Sequence, residues 1–221
     1  MTSEDEMIEW IKTKSNDRIE VYLKNNPAKA DELTEHGISY LMFAIYCRNK
    51  PAIELFRKNK SAINIYEASS LGELDALNVL LEHNLRAVNS YSADGFTPLG
   101  LACFFGNFDA ARYLISNGAD VNMPSNNSFK VAPIHSACAI SNYELARLLL
   151  SKEANPNVKQ QSGITPLHEA AHNGQTKLAE LLVMYGADIK AKMDNGQTSV
   201  SMAEEAGFDE TARALRALGG I

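Results

Sequence analysis

The chain has 221 residues, 45% of them hydrophobic and 22% charged, with a formal net charge of −6. That is the composition of an ordinary globular chain with enough apolar material for a continuous core. No basic tract offsets the acidic balance, which argues against a nucleic-acid partner. No apolar run approaches the roughly 18 residues needed to cross a bilayer, and the acidic start from Met1 to Glu6 does not read as a signal peptide.

Near the N-terminus, Met7, Ile8, Trp10 and Ile11 form a short apolar face, and Ile19, Val21, Tyr22 and Leu23 predict a second helix that Asn25-Asn26-Pro27 breaks. Next comes Ser39-Tyr40-Leu41-Met42-Phe43-Ala44, followed by a helix carrying Ile53, Leu55 and Phe56. Asn64-Ile65-Tyr66-Glu67-Ala68 begins a third pattern only 24 residues after Tyr40, so a shortened loop is expected between the two. A clearer phrase follows, Thr97-Pro98-Leu99-Gly100-Leu101-Ala102, and its successor, Ala132-Pro133-Ile134-His135-Ser136-Ala137, starts 35 residues later. The Ser/Asn-rich stretch Met123 to Val131 accommodates the two extra residues. The fullest version is Gly163-Ile164-Thr165-Pro166-Leu167-His168-Glu169-Ala170-Ala171-His172-Asn173-Gly174. Gly196 and Thr198 restart it 33 residues after Gly163 and Thr165. The final unit, Thr198-Ser199-Val200-Ser201-Met202-Ala203, has lost proline and histidine and stops at Gly219-Gly220.

Each part of the phrase has a physical purpose. Thr165 is expected to cap a helix with its hydroxyl, and Pro166 suits the first helical position, where no amide donor is missed. Leu167, Ala170 and Ala171 let a second helix approach, and Gly174 ends the first. One such unit cannot bury its apolar face alone and must stack on neighbours. A 33-residue period opening on T-P-L-H-x-A resembles the ankyrin repeat family. The resemblance implies an all-α solenoid of stacked helix-turn-helix units with short hairpin loops, forming one domain over 1–221. Its expected units are 1–35 (a degenerate N-terminal cap), 36–62, 63–93, 94–127, 128–160, 161–193 and 194–221 (a C-terminal cap).

His168-Glu169-Ala170-Ala171-His172 also matches H-E-x-x-H, in which two histidines on one helix side bind zinc and the glutamate acts as a base. Against a zinc hydrolase, His168 occupies the histidine position of the repeat, as His135 does one unit earlier, and the resemblance implies that such a histidine tethers a loop. Glu169 and His172 fall at positions that vary between units, Gly174 ends the helix, and no third ligand follows. Cys103 and Cys138 occupy equivalent positions where Ala171 stands in the next unit, as small packing residues. With Cys47 they make no disulfide framework, so a reducing, intracellular, cytoplasmic setting is expected. No catalytic residue, metal or cofactor is expected.

In ankyrin-like repeats the residues after the Ala-Ala pair and those in the hairpins are the ones that vary and meet partners. Here they give Tyr46, Leu71, Phe104, Phe105, Ile140, His172 and Asn173 at inner-helix ends, and Phe96, Phe129, Lys130 and Ile164 in the loops. Aromatic side chains at solvent-facing positions point to an interaction patch. The competing expectation is self-packing, with Phe104 filling the space left by Gly100, Leu71 buried beside the shortened loop, and Phe105 and Phe129 the most exposed. The expected function is therefore non-enzymatic binding of another protein by a monomeric scaffold or adaptor. Self-association through the apolar stripe is the structural alternative.

Overall fold

The computed structural model describes residues 3–219, with side chains from Glu6 onward. Fourteen α-helices account for most of these residues, and the described residues contain no strand, only isolated bridges at Leu33–Ser39 and Lys192–Thr198. Helices α1 (Ser3–Lys12) and α2 (Asn16–Asn25) form the first pair. Six pairs follow, each joining a seven-residue inner helix to a longer outer one. They are α3 (Tyr40–Tyr46) with α4 (Lys50–Asn59), α5 (Ile65–Leu71) with α6 (Leu74–His83), and α7 (Pro98–Phe104) with α8 (Phe108–Ser116). Then come α9 (Pro133–Ala139) with α10 (Tyr143–Ser151), α11 (Pro166–His172) with α12 (Thr176–Met184), and α13 (Ser199–Glu205) with α14 (Asp209–Ala217). None is long and apolar enough to cross a membrane.

Inner helix stacks on inner helix from α1 through α13, and outer on outer from α6 through α14. The core is correspondingly a column, with Leu41, Ala68, Leu99, Leu101, Ile134, Leu167 and Val200 nearly sealed from solvent. Small residues set the spacing. Ala102-Cys103, Ala137-Cys138 and Ala170-Ala171 are fully buried, so Cys103 and Cys138 are packing residues whose burial pushes the thiols well above their ordinary range. In the first pair Ile19 and Leu23 are buried, whereas Val21 is exposed.

Side chains stitch the connections. Asn89 Nδ2 donates to the Gly118 carbonyl (2.8 Å) while its Oδ1 accepts from Asp120 N (2.8 Å). Asn122 makes the same pair with Glu153 O and Asn155 N, and Asn157 with Gly186 O and Asp188 N. Each staple satisfies two backbone groups that a loop would otherwise leave to water. The Met123 to Val131 loop is sewn to the hairpin before it: Asn126 N donates to Gly95 O (2.9 Å) and Asn127 Nδ2 to Asp94 O (2.9 Å).

The shortened connection has a visible consequence. Lys60 to Asn64 leads directly from α4 into α5 with no hairpin, and α4 and α6 barely touch. The opening between them is about 590 Å³, floored by Ile63, Leu80 and Val79 and crossed by an Arg57–Glu73 ion pair at 2.8 Å. The ends of the shortened segment, Lys60 and Asn64, join a buried polar knot. Glu67, with no solvent exposure, accepts from the Ser39 hydroxyl and from Asn64 N (2.8 Å), and Lys60 Nζ stands 3.5 Å away. Asp31 then accepts from Ser61 N and Oγ, each at 3.0 Å.

Two local expectations need correction. Thr165 does not cap α11 through its hydroxyl, because Oγ1 donates instead to His168 Nδ1 (2.8 Å), which also accepts from Thr165 N (3.2 Å). Phe104 does not fill the space at Gly100; it is 42% exposed, and a Cβ at Gly100 would meet Thr97 Oγ1 at 3.1 Å. Gly100 leaves no side chain to tether a loop, and its own amide donates to Thr97 Oγ1 (3.0 Å). Of the C-terminal stop, Gly219 has φ +103°, while Gly220 and the first two residues of the acidic start lie outside the described residues.

Candidate partner-binding surface

Every inner helix ends in a turn with one residue in the left-handed conformation. Glycine serves at Gly72, Gly106, Gly174 and Gly207, with φ between +65° and +80°. Lys14, Arg48 and Ser141 occupy the same position with φ of 57°, 50° and 58°. These turns align along the stack and place the last inner-helix residues side by side.

At the middle of this row the side chains form a groove of about 450 Å³. Leu71, Phe104, Phe105 and Ile140 line it, together with Ile53 from the start of α4. Phe105 is half-buried because it packs on Tyr46 (ring centroids 5.9 Å apart) and takes the edge of Phe104 (5.1 Å). That leaves Phe104, not Phe105, as the more exposed ring. Ile140 Cδ1 lies over Gly106, at 3.4 Å from where a Cβ would stand. The Tyr46 hydroxyl donates to Asp94, and burial together with that carboxylate pushes its pKa upward, so it is a fixed strut rather than a titrating group.

The helix-end carbonyls beneath the groove are already bonded. Asn107 Nδ2 donates to Ser69 O (3.0 Å) and Ser70 O (2.8 Å), and Asn107 N to Ala102 O (2.8 Å). Two cations stand at the lip, Arg48 in the α3–α4 turn and Lys50 at the start of α4, and none of the lining side chains is acidic. Sequence reasoning missed Arg48, Lys50 and Ile53. The available signal was a basic residue at 48, where most units carry glycine.

The other candidates stand apart from this groove. Phe96 and Ile164 are half-buried in their hairpins. Phe129 (56% exposed) and Lys130 project from the long loop, where Gln161 N donates to Phe129 O (2.9 Å). His172 is exposed, and Asn173 donates to Ala139 O (3.3 Å).

The H-E-x-x-H match resolves into unrelated parts. His168 is sealed from solvent with Nδ1 committed to Thr165, and Nε2 faces the Gln197 and Ala191 carbonyls without closing a bond of normal length. Glu169 Oε1 accepts from Gln160 (2.6 Å), and burial raises its pKa. Among the described residues no three His, Cys, Asp or Glu side chains gather as a metal site. His135 shows the loop tether complete: Nδ1 accepts from Ala132 N (3.2 Å) and Nε2 donates to Ile164 O (3.1 Å). Burial lowers its pKa to about 4.

Known proteins agree with this geometry. Residues 41–125 and 134–220 match a family model described as ankyrin repeats (3 copies), and residues 105–150 match a second, ankyrin repeats (many copies). Among curated proteins, the chain is 33% identical to alpha-latrocrustotoxin-Lt1a of Latrodectus tredecimguttatus over 66 residues, 30% of this chain and 5% of the toxin. It is 34% identical to human BCL-6 corepressor-like protein 1 over 84 residues, 38% of this chain and 5% of that protein. The chain thus spans only a small part of the length of either relative. With both family models falling on the stacked helix pairs, the chain belongs to the ankyrin-repeat family.

Proposed function

We propose that this chain is a non-enzymatic protein-binding module, a scaffold or adaptor that works as a monomer and meets its partner on the inner-helix ends and neighbouring hairpins. Ankyrin repeats are generally protein–protein interaction modules. The observation that carries the reading here is Phe104. A phenylalanine 42% exposed beside Leu71 and Ile140, on a backbone held by caps and side-chain staples, is a preorganised apolar anchor point. Its rigidity lowers the ordering cost of association. Phe129 and Lys130 offer a second, separate contact from the long loop.

The test is site-specific photo-cross-linking in lysate of the native host. Benzoylphenylalanine replaces Phe104 in one variant and Tyr143, exposed on α10, in another. A discrete protein adduct at 104 that is absent at 143 supports the reading. Equal labelling at both positions, or none at 104, overturns it.

A further inference from the structure

The groove at Phe104 differs from an ordinary apolar patch in its lip. The chain is acidic, with a formal net charge of −6, yet the only formal charges lining the groove are those of Arg48 and Lys50. Both are exposed, and neither is in an ion pair among the described residues. The carboxylates of the neighbouring hairpin and helix turn are engaged elsewhere, Asp94 by Tyr46 and Ser92, and Glu73 by Arg57.

Arg48 also sits where backbone physics disfavours it. Its φ of +50° lies in the left-handed region that costs a side-chain-bearing residue energy, and Gly72, Gly106, Gly174 and Gly207 solve the same turn without that cost. Lys14 and Ser141 share that conformation, so what sets Arg48 apart is its side chain, which is exposed, makes no ion pair among the described residues and lines the groove. Ile53 and the Arg48–Lys50 turn line the groove together with Leu71 and Phe104.

We propose that this groove takes an acidic segment of a partner protein: a large apolar side chain seats between Phe104, Leu71 and Ile53, and flanking carboxylates meet Arg48 and Lys50. The proposal rests on the binding-module reading above and adds the chemical class of the partner. Rim charges of this kind steer encounter and select against basic partners, while the buried apolar contact supplies the residence time.

The experiment selects ligands from a random-peptide display library against the wild-type chain, then measures fluorescein-labelled synthetic copies of the recovered peptides by anisotropy. Recovered peptides should carry Asp or Glu close to a Trp, Phe, Leu or Met. Phe104→Ala, and separately Arg48→Glu with Lys50→Glu, should each weaken them about tenfold or more. Lys177→Glu with Lys190→Glu, which changes net charge equally at a distance, should leave them within about twofold. Arg48→Gly should weaken binding about fivefold while the melting temperature holds or rises, separating a ligand role from a structural one.

Peptides that depend on Phe104 but are neutral or basic, or ignore the charge reversals, overturn the acidic class and leave the binding surface standing. Peptides indifferent to Phe104 overturn both. No enrichment over the Phe104→Ala, Arg48→Glu, Lys50→Glu triple variant overturns the proposal too. So does a wild-type dimer in sedimentation that Phe104→Ala dissociates, since a second copy would then be the occupant.

Discussion

His135 illustrates how a repeat residue turns into a pH liability. Its neutral ring is bonded at both nitrogens, accepting at Nδ1 and donating at Nε2, and burial lowers its pKa from 6.5 to about 4. The unfolded chain therefore takes up this proton before the folded one does. The stabilisation is fully present above pH 6.5 and is lost as pH falls through the folded value, amounting to about 3 kcal/mol. Urea unfolding of the wild type should show that loss between pH 6.5 and 4, and His135→Gln should be less stable at neutral pH but flatter over this window. Parallel curves for the two proteins would exclude His135 as its source. His168, lowered by burial in the same direction, adds to the wild-type slope.

Glu67 is a carboxyl group kept buried by fixed partners. It holds Ser39 and Asn64 N, with Lys60 close by and only 6% exposed in its side chain. Removing Glu67 takes from the buried Lys60 ammonium its nearer carboxylate, leaving Asp31 at 3.9 Å, and leaves the Asn64 amide without its acceptor. Glu67→Ala should therefore cost about 3 kcal/mol in denaturant unfolding, whereas Glu73→Ala, which breaks the more exposed ion pair with Arg57, should cost under about 1 kcal/mol. Similar losses for the two variants would refute the view that the knot holds the ends of the shortened segment.

At the scale of elements, much of the helix layout was legible. Pro98, Pro133 and Pro166 each open an inner helix, and Gly174 closes one at φ +65°. Gly174 also illustrates where the sequence signal stops. A Cβ there would lie 2.3 Å from the Phe208 ring of the next unit, a contact 34 residues away that no local pattern reveals. The exchange of roles between Phe104 and Phe105 has the same origin. Adjacent aromatics at a helix end look alike in sequence, and the position of Tyr46, two units earlier, decides which ring is covered.

For the whole molecule, the break between α4 and α6 is the feature with the largest expected effect. Solenoid stability is a sum of unit stabilities and nearest-neighbour interfaces, so a thinned interface uncouples what lies on either side. Native-state hydrogen exchange should show amides of α1–α4 opening together, with less protection than those of α7–α12. Uniform protection along the stack would mean that the buried knot at Glu67 fully compensates for the missing outer contacts.

By itself the sequence determined the repeat, the proline-opened inner helices and the small-residue column. These depend on contacts within one 33-residue period or between equivalent positions of adjacent periods. The shortened loop before Asn64 was readable too, although the structure pairs the N-caps Ser39 and Asn64, 25 residues apart, rather than Tyr40 with Asn64. Only the tertiary structure decided that the shortened loop opens a notch crossed by Arg57 and Glu73, and that a groove elsewhere carries Arg48 and Lys50 at its lip. Exposure at a helix end depends on the rings, turns and gaps of the neighbouring units. Residues dozens of positions apart in the chain set it together, so no single repeat records it.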